Sequence, residues 1–204
     1  MTGVVLCGGR STRMGADKGL LASSEGNWAQ AAIGKMPGPG LPVVLSVNAA
    51  QYRVYAAVFP GLELIVDSPE LPLAGPLLAL LSIHEKRPAE DLLILACDMP
   101  LMQSSYLSGL IDQQRLHPEY DAYVFTNDGH LEPLCGIYTA RGLALLMDTL
   151  LSGALRRFSM KHALERLNTF SIPLSAGEQI HFRNLNAPDD LERVPPSGQT
   201  PSSP

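Results

Sequence analysis

A glycine pair, Gly8 and Gly9, is followed by Arg10, Arg13 and Lys18 in the stretch GVVLCGGRSTRMGADKGLL, residues 3–21, with no carboxylate before Asp17. Glycines let a backbone turn tightly and offer bare N–H groups to an anion. With three cations beside them, the chemistry they suggest is the holding of a polyphosphate. Far along the chain, LLILACDMP carries an apolar run straight into Asp98. A carboxylate in that position needs a partner. A hard, oxygen-seeking Mg²⁺ bridging nucleotide phosphates would supply one, although buried carboxylates also serve structurally. Asn48, after PVVLSV, has an amide that could donate to and accept from a nucleobase or ribose, or could cap the next helix. Asp67, after LELIV, reads alone as a turn residue beside Pro69.

Those residues sit in a chain of 204 residues with net charge −5, 46% hydrophobic and 17% charged residues. The size and composition predict one soluble globular domain over residues 1–194. PPSGQTPSSP, residues 195–204, reads as a disordered tail. Mild acidity argues against nucleic acid as a partner, and a basic loop on an acidic body points to a small anionic ligand. Cys7, Cys97 and Cys135 match no metal or disulfide spacing, so they read as buried hydrophobes in a reducing compartment. No secretory signal and no bilayer-spanning run is visible. A cytoplasmic monomer that does not bind membranes is the expectation. The five histidines share no spacing, and Ser104 and Ser105 have no partner that would suggest a hydrolytic triad.

Strands and longer helical patterns alternate along the chain. Strands are predicted at 3–7, 42–47, 62–66, 91–97, 121–126 and 132–138, and helices near 27–36, 49–58, 75–87, 103–117, 139–152 and 157–167. Two short strands, around 168–173 and 180–183, and a brief helix from Pro188 complete the order. Runs apolar on both faces suit central strands of a covered, mostly parallel sheet. The fold class is therefore α/β, a three-layer α/β/α Rossmann-like arrangement. In such sheets ligands collect at the carboxyl ends of the strands, where the residues named above fall. EGNWAQAAIGKMPGPG, within 25–40, shows no motif, and Trp28 reads as core.

The loop is not a Walker A motif: five residues separate Gly9 from Gly15, and Gly19 stands where Ser or Thr should follow the lysine. Its adjacent glycines also fail the Rossmann dinucleotide fingerprint. It does resemble, at every fixed position, the L-x-G-G-x-S-x-R-M-G-x-D-K-x-L signature of nucleotidyltransferases that modify molybdopterin. Within them it is most similar to the molybdenum cofactor guanylyltransferase (MobA) family, in which Ala is usual at the place of Cys7. Cytidylyl-transferring relatives tend to have Ala-Ala-Gly, so Gly8-Gly9 favours the guanylyl branch. The resemblance extends through AGPLLAL (74–80, with Leu78 departing from the usual Ala), CDMP, EPLCGIY (132–138), GALRRF (153–158) and FRNLNAPDDL (182–191, with Ala187 for Thr).

That resemblance implies a Rossmann-like fold and transfer of GMP from GTP to molybdopterin. It implies nucleotide contacts from Leu6, Cys7, Gly8, Gly9, Arg13, Lys18, Asn48, Asp67 and Asp98, with Arg13, Lys18 and Asp98 catalytic. Mg²⁺ would rest on Asp98, and Arg156, Arg157, Asn184 and Asn186 would meet the phosphate and pterin of the acceptor. Partners beyond GTP and the acceptor would be molybdoenzymes or other cofactor-assembly proteins. The rival expectations are a transferase using CTP with molybdopterin, or one using a sugar phosphate as acceptor. A module that binds GTP without transferring it, or a GTPase, are further alternatives.

Overall fold

The computed structural model describes residues 1–8, 17–23, 26–38 and 40–185. Gly9, Arg10, Arg13, Asn186, the helix expected from Pro188 and the tail at 195–204 lie outside those residues.

Two strands made almost wholly of aliphatic side chains, β1 (Thr2–Leu6) and β6 (Leu92–Ala96), are buried at every residue and lie side by side in parallel. Apolarity on both faces keeps them central, because a strand alternating polar and apolar would expose one face. Around them forms a seven-stranded sheet in the order β5 (Glu63–Val66), β4 (Val43–Val47), β1, β6, β8 (His130–Tyr138), β7 (Ala122–Asn127), β9 (Thr169–Pro173). Every neighbouring pair is parallel except the two involving β8. Pro173, which cannot donate to a ladder, ends the outermost strand, as suits its missing N–H.

The period of two along each central strand sorts side chains into two cores. Val4, Leu6, Leu92 and Ile94 face one layer of helices, α3 (Pro76–Lys86), α5 (Ala140–Leu151) and α6 (Met160–Leu164). Val5, Cys7, Leu93 and Leu95 face the other, α1 (Trp28–Gly34), α2 (Tyr52–Val58) and α4 (Ser104–Leu116). The result is the three-layer α/β/α arrangement. Each fully buried aliphatic side chain of β1 and β6 stabilises it by about 1.5–3 kcal/mol. Trp28 is fully buried, and all three cysteines are buried and reduced.

Helix starts follow local chemistry. Asn27 and Gln30 form a reciprocal capping box on α1, and Thr139 Oγ1 accepts from Gly142 N–H on α5. Gly75 precedes α3 with φ +70°, a left-handed conformation a side chain would resist, and Pro76 then fixes the first helical φ.

Three expectations are corrected. Residues 180–183 are not a strand: Gln179–Phe182 form a 3₁₀ helix. The tighter turn puts Phe182 into the core against Phe125, ring centroids 4.8 Å apart. It also brings His181 Nδ1 within 2.9 Å of the Leu101 carbonyl. The helix expected over 157–167 is confined to Met160–Leu164, where Ser159 caps its start. A small hairpin, β2 (Ala22–Ser23) with β3 (Gly26–Asn27), occupies ground where no element was expected.

Chain order fixes where a crevice must open. From β1 the chain winds outward through β4 to β5, then returns by α3 to β6 on the other side of β1. The connections beyond the carboxyl ends of β1 and β6 therefore part in opposite directions, and that switch point is where ligands bind in open α/β sheets.

Candidate active site

Lys18 and Asp98 meet at the switch point. Asp98 leaves β6 directly, while Lys18 opens a short 3₁₀ helix, Lys18–Leu20, at the end of the basic segment after β1. Lys18 Nζ donates to Asp98 Oδ2 at 3.1 Å, with the two side chains 24% and 20% exposed. Asp98 Oδ1 is buried and has no hydrogen-bond partner among the described residues. An anionic oxygen shielded from water in this way suits a hard cation, which would take one protein carboxylate and fill its other positions with phosphate oxygens and waters. No cluster of three or more His, Cys, Asp or Glu ligands occurs among the described residues.

The backbone of Asp98 is held from two sides. Its carbonyl accepts from Leu185 N–H at 2.9 Å, which sets Asn184, exposed, immediately beside it. In the turn that follows, Lys35 Nζ donates to the Pro100 carbonyl at 2.6 Å. Lys35 lies in the stretch where no motif was visible, and nothing in its local sequence announces a contact made 65 residues away.

The first-strand corner is arranged differently from expectation. The Gly8 N–H does not point to a ligand: it donates to the Ser46 carbonyl at 3.1 Å, which also accepts from Cys7 N–H at 3.0 Å. Parallel pairing with β4 thus runs past the strand end and occupies the amide expected to face phosphate. Gly8 also lies against Asp67, whose Oδ2 would be 3.7 Å from a Cβ at this position, an ordinary contact. Leu6 and Cys7 are buried. Burial pushes the Cys7 thiol well above its ordinary range, and the adjacent Cys97 adds to the effect, so the thiol stays protonated and unreactive.

Asn48 does not cap the helix expected from residue 49, since α2 begins only at Tyr52 with Gln51 before it; Asn48 instead braces the preceding turn. Its Oδ1 accepts from Gln51 N–H at 3.0 Å while Gln51 Oε1 accepts from Asn48 N–H at 2.9 Å. Asp67 ends β5, and the turn after it is fixed by Ser82 Oγ, which accepts from Ser68 N–H at 2.7 Å. Asp67 Oδ1 is buried without a hydrogen-bond partner among the described residues, and burial raises the carboxyl to about 6. A second orphaned acceptor therefore borders the crevice on the β5 side.

Asp17, a fixed position of the signature, also belongs to this corner with Gln51, Tyr55 and Gly19, which carry no functional signal in the sequence. Asp17 Oδ1 accepts from Gly19 N–H at 3.0 Å and from Tyr55 Oη at 2.8 Å. Gly19 is a glycine for a steric reason: a Cβ would fall 2.2 Å from the buried Tyr55 hydroxyl. Its place after the lysine thus answers to Tyr55 rather than to phosphate.

Arg156 and Arg157 are exposed on the turn between α5 and α6, beside a polar cleft of about 380 Å³ also lined by Leu155, His162, Glu165 and Arg166. Arg157 Nη1 lies 2.8 Å from His162 Nε2. The hydrophobic anchors of this region, Leu155, Met160 and Leu164, belong to the core on the α3 side of the sheet. Cys7, which follows β1, and Cys97, which precedes Asp98, belong to the opposite core.

Comparison with known proteins adds a family. A model for the MobA-like NTP transferase domain matches residues 3–167. A protein of Methanothermobacter thermautotrophicus named "Probable molybdenum cofactor guanylyltransferase" is 32% identical over 92% of this chain and 95% of its own. The molybdenum cofactor guanylyltransferase of Xanthomonas euvesicatoria is 30% identical over 95% and 93%. Among solved structures, molybdopterin-guanine dinucleotide biosynthesis protein A from Archaeoglobus fulgidus shares the fold with a TM-score of 0.75, covering 95% of this chain and 96% of that one at 24% identity.

Proposed function

Because the chain belongs to the MobA-like NTP transferase family, we propose that it transfers GMP from GTP to a molybdopterin acceptor. The acceptor's terminal phosphate oxygen attacks the α-phosphorus of GTP, a P–O bond forms there, and the bond to the β-phosphate breaks to release pyrophosphate. The observation that carries this reading is the 3.1 Å pairing of Lys18 with Asp98 at the switch point.

A phosphate monoester is already anionic at neutral pH, so no side chain has to remove a proton. What the site must supply is position and compensation of charge. Lys18, with Arg13 and the amide of Gly9, holds the triphosphate. Asp98 holds Mg²⁺, which when bound offsets negative charge on the phosphate oxygens. Asn48 and Asp67, with the chain at Leu6–Gly8, border the base and ribose. A carboxyl raised to about 6 has an acceptor strengthened by poor solvation, suited to the paired N–H donors of guanine. Arg156, Arg157, Asn184 and Asn186 meet the acceptor, whose phosphate matches the arginine forks. The enzyme works as a cytoplasmic monomer on two polyanions that its acidic body would otherwise repel; no described helix is long and apolar enough to cross a membrane.

Pyrophosphate release from GTP with Mg²⁺ and molybdopterin tests the reaction. Thermal denaturation with GTP, CTP and UTP tests the base. GTP at a hundred times its Kd is expected to raise Tm by roughly 5–10 °C, the equivalent of about 2.7 kcal/mol. A larger shift with CTP or UTP, or no pyrophosphate with GTP, overturns the assignment.

A further inference from the structure

Gln51 bonds to both ends of the basic segment at once. Its Nε2 donates to the Cys7 carbonyl at 3.0 Å, where β1 gives way to Gly8. The same nitrogen donates to Asp17 Oδ2 at 2.5 Å, where the chain returns one residue before Lys18. The opposite end of the amide is fixed by the reciprocal pair with Asn48, so it reaches outward from a braced position. Tyr55 lies four residues on, hence on the same side of the helical turn. It is fully buried and donates its hydroxyl to Asp17 Oδ1. Burial pushes this phenol far above its ordinary range, with Cys7 and the bond to Asp17 adding to the effect, so it remains an O–H donor at any working pH.

Among the described residues Asp17 therefore accepts from three neutral donors: Gly19 N–H, Gln51 Nε2 and Tyr55 Oη. They stabilise its charge without calling on the ammonium next to it in sequence, and the Lys18 side chain extends to Asp98 instead. Gly19 lets Tyr55 come this close, since any Cβ would collide with the hydroxyl. The four residues form one interlocked unit, and its outer end is the lysine of the proposed triphosphate site.

We infer that Gln51 and Tyr55 are positioning residues for nucleotidyl transfer: they clamp Asp17 against the end of β1 and so set where the Lys18 ammonium stands relative to Asp98. The inference rests on the guanylyltransferase reading for its kinetic consequence, though not for its geometry. A shift of about 1 Å in a charge-bearing group can cost about a hundredfold in rate.

Four variants of the full chain test it: Gln51→Leu, Tyr55→Phe, Gln51→Glu, and Gln51→Glu combined with Asp17→Asn. Two readouts are used, namely kcat and KM for GTP, and amidination of each lysine by methyl acetimidate followed by peptide mass spectrometry. The second needs no nucleotide. Gln51→Leu is expected to lower kcat about thirtyfold while GTP KM moves less than about threefold, the mark of an interaction made chiefly in the transition state. Tyr55→Phe shares that direction with a smaller loss. Lys18 should label at least about threefold faster than in the unaltered protein, in step with its released ion pair. The exposed Lys86 and Lys161 should keep their rates. Gln51→Glu sets a carboxylate against Asp17, and Asp17→Asn in that background restores an amide–carboxylate pair, so the double variant should recover at least about threefold in kcat over Gln51→Glu alone. Unchanged kcat together with unchanged Lys18 labelling overturns the clamp. Faster labelling at all four lysines also overturns it, because the residues would then serve the fold generally. If the unaltered protein releases no pyrophosphate from GTP, the guanylyltransferase reading fails, and the ratio of Lys18 to Lys86 labelling still decides the clamp.

Discussion

Asp98 leaves a strand buried at every residue and meets Lys18 at 3.1 Å, whereas Arg156 and Arg157 stand exposed on a turn between two helices. At the first place the backbone is bound on several sides: Leu185 on the Asp98 carbonyl, Lys35 on the turn beyond it, and Gln51 on the opposite strand end. At the second, Arg157 pairs with His162, itself only half-buried. The difference follows the chemistry assigned to each. Charge at a reacting phosphorus must be met by groups already in place, while a second substrate arriving from solution can be gathered by long, adaptable cations. On the proposed assignment, the firmly bound region is the one where bonds change and the exposed arginines are the ones that gather the acceptor.

The contrast breaks first, and most visibly, at Asp98. Asp98→Asn keeps the shape but removes the anion, and turnover should fall by about 10³ or more with the far-UV circular dichroism spectrum unchanged. Lys18→Ala should cost about 10²–10³. Rates within about tenfold of normal for both would mean that this corner is not where the reaction is accelerated. Arg157→Ala is expected to act through binding: KM for the acceptor rises about tenfold, as for loss of one charge-assisted contact, while KM for GTP is unaffected. A matching rise in GTP KM would merge the two regions into one site.

The smallest effect concerns Asp67. With its carboxyl raised to about 6 in the fold, the native state holds more protons than the unfolded chain between about pH 4 and pH 6. The slope of unfolding free energy against pH is then negative, so this group's contribution is fully present below pH 4 and is lost as pH rises through 6. Asp67→Asn should remove that slope. After discounting for partial exposure, it should raise the Tm of the ligand-free protein at pH 7.5 by about 2–4 °C, or about 1 kcal/mol, with no gain at pH 4. GTP binding should weaken in the same variant. A Tm that follows the unaltered protein at every pH would remove Asp67 from the electrostatics of the crevice.

Much of this architecture was legible because it is written locally. Apolar runs mark β1 and β6, the first leading into a glycine pair with three cations beyond it and the second into Asp98, and those ends mark the crevice. Lys18 and Asp98 were chosen from sequence, and they prove to be in contact. The clamp was not legible. Gln51 and Tyr55 reach Asp17 across 34 and 38 residues, and in sequence they are ordinary helix residues. Gly8 was assigned an open amide because nothing in GVVLCGG tells that β4 pairs past its end, through Ser46. Residues 180–183 read as a strand from sequence, yet His181 and Phe182 each serve a different neighbour, and a tighter turn satisfies both. Local pattern thus specified elements and their ends, whereas side-chain contacts between distant turns emerged only from the assembled sheet.

One of the two fully buried central strands of the sheet, β1, is also made before every other strand of that sheet. β1 closes at Leu6, but the two strands that flank it begin only at Val43 and Leu92. A chain that ends before β6 would leave one edge of β1 bare and have no Asp98 to oppose Lys18, so truncated products are expected to lack turnover and to self-associate. Such long-range pairing slows folding, and completion of the centre coincides with β6 sliding in beside β1 instead of growing residue by residue.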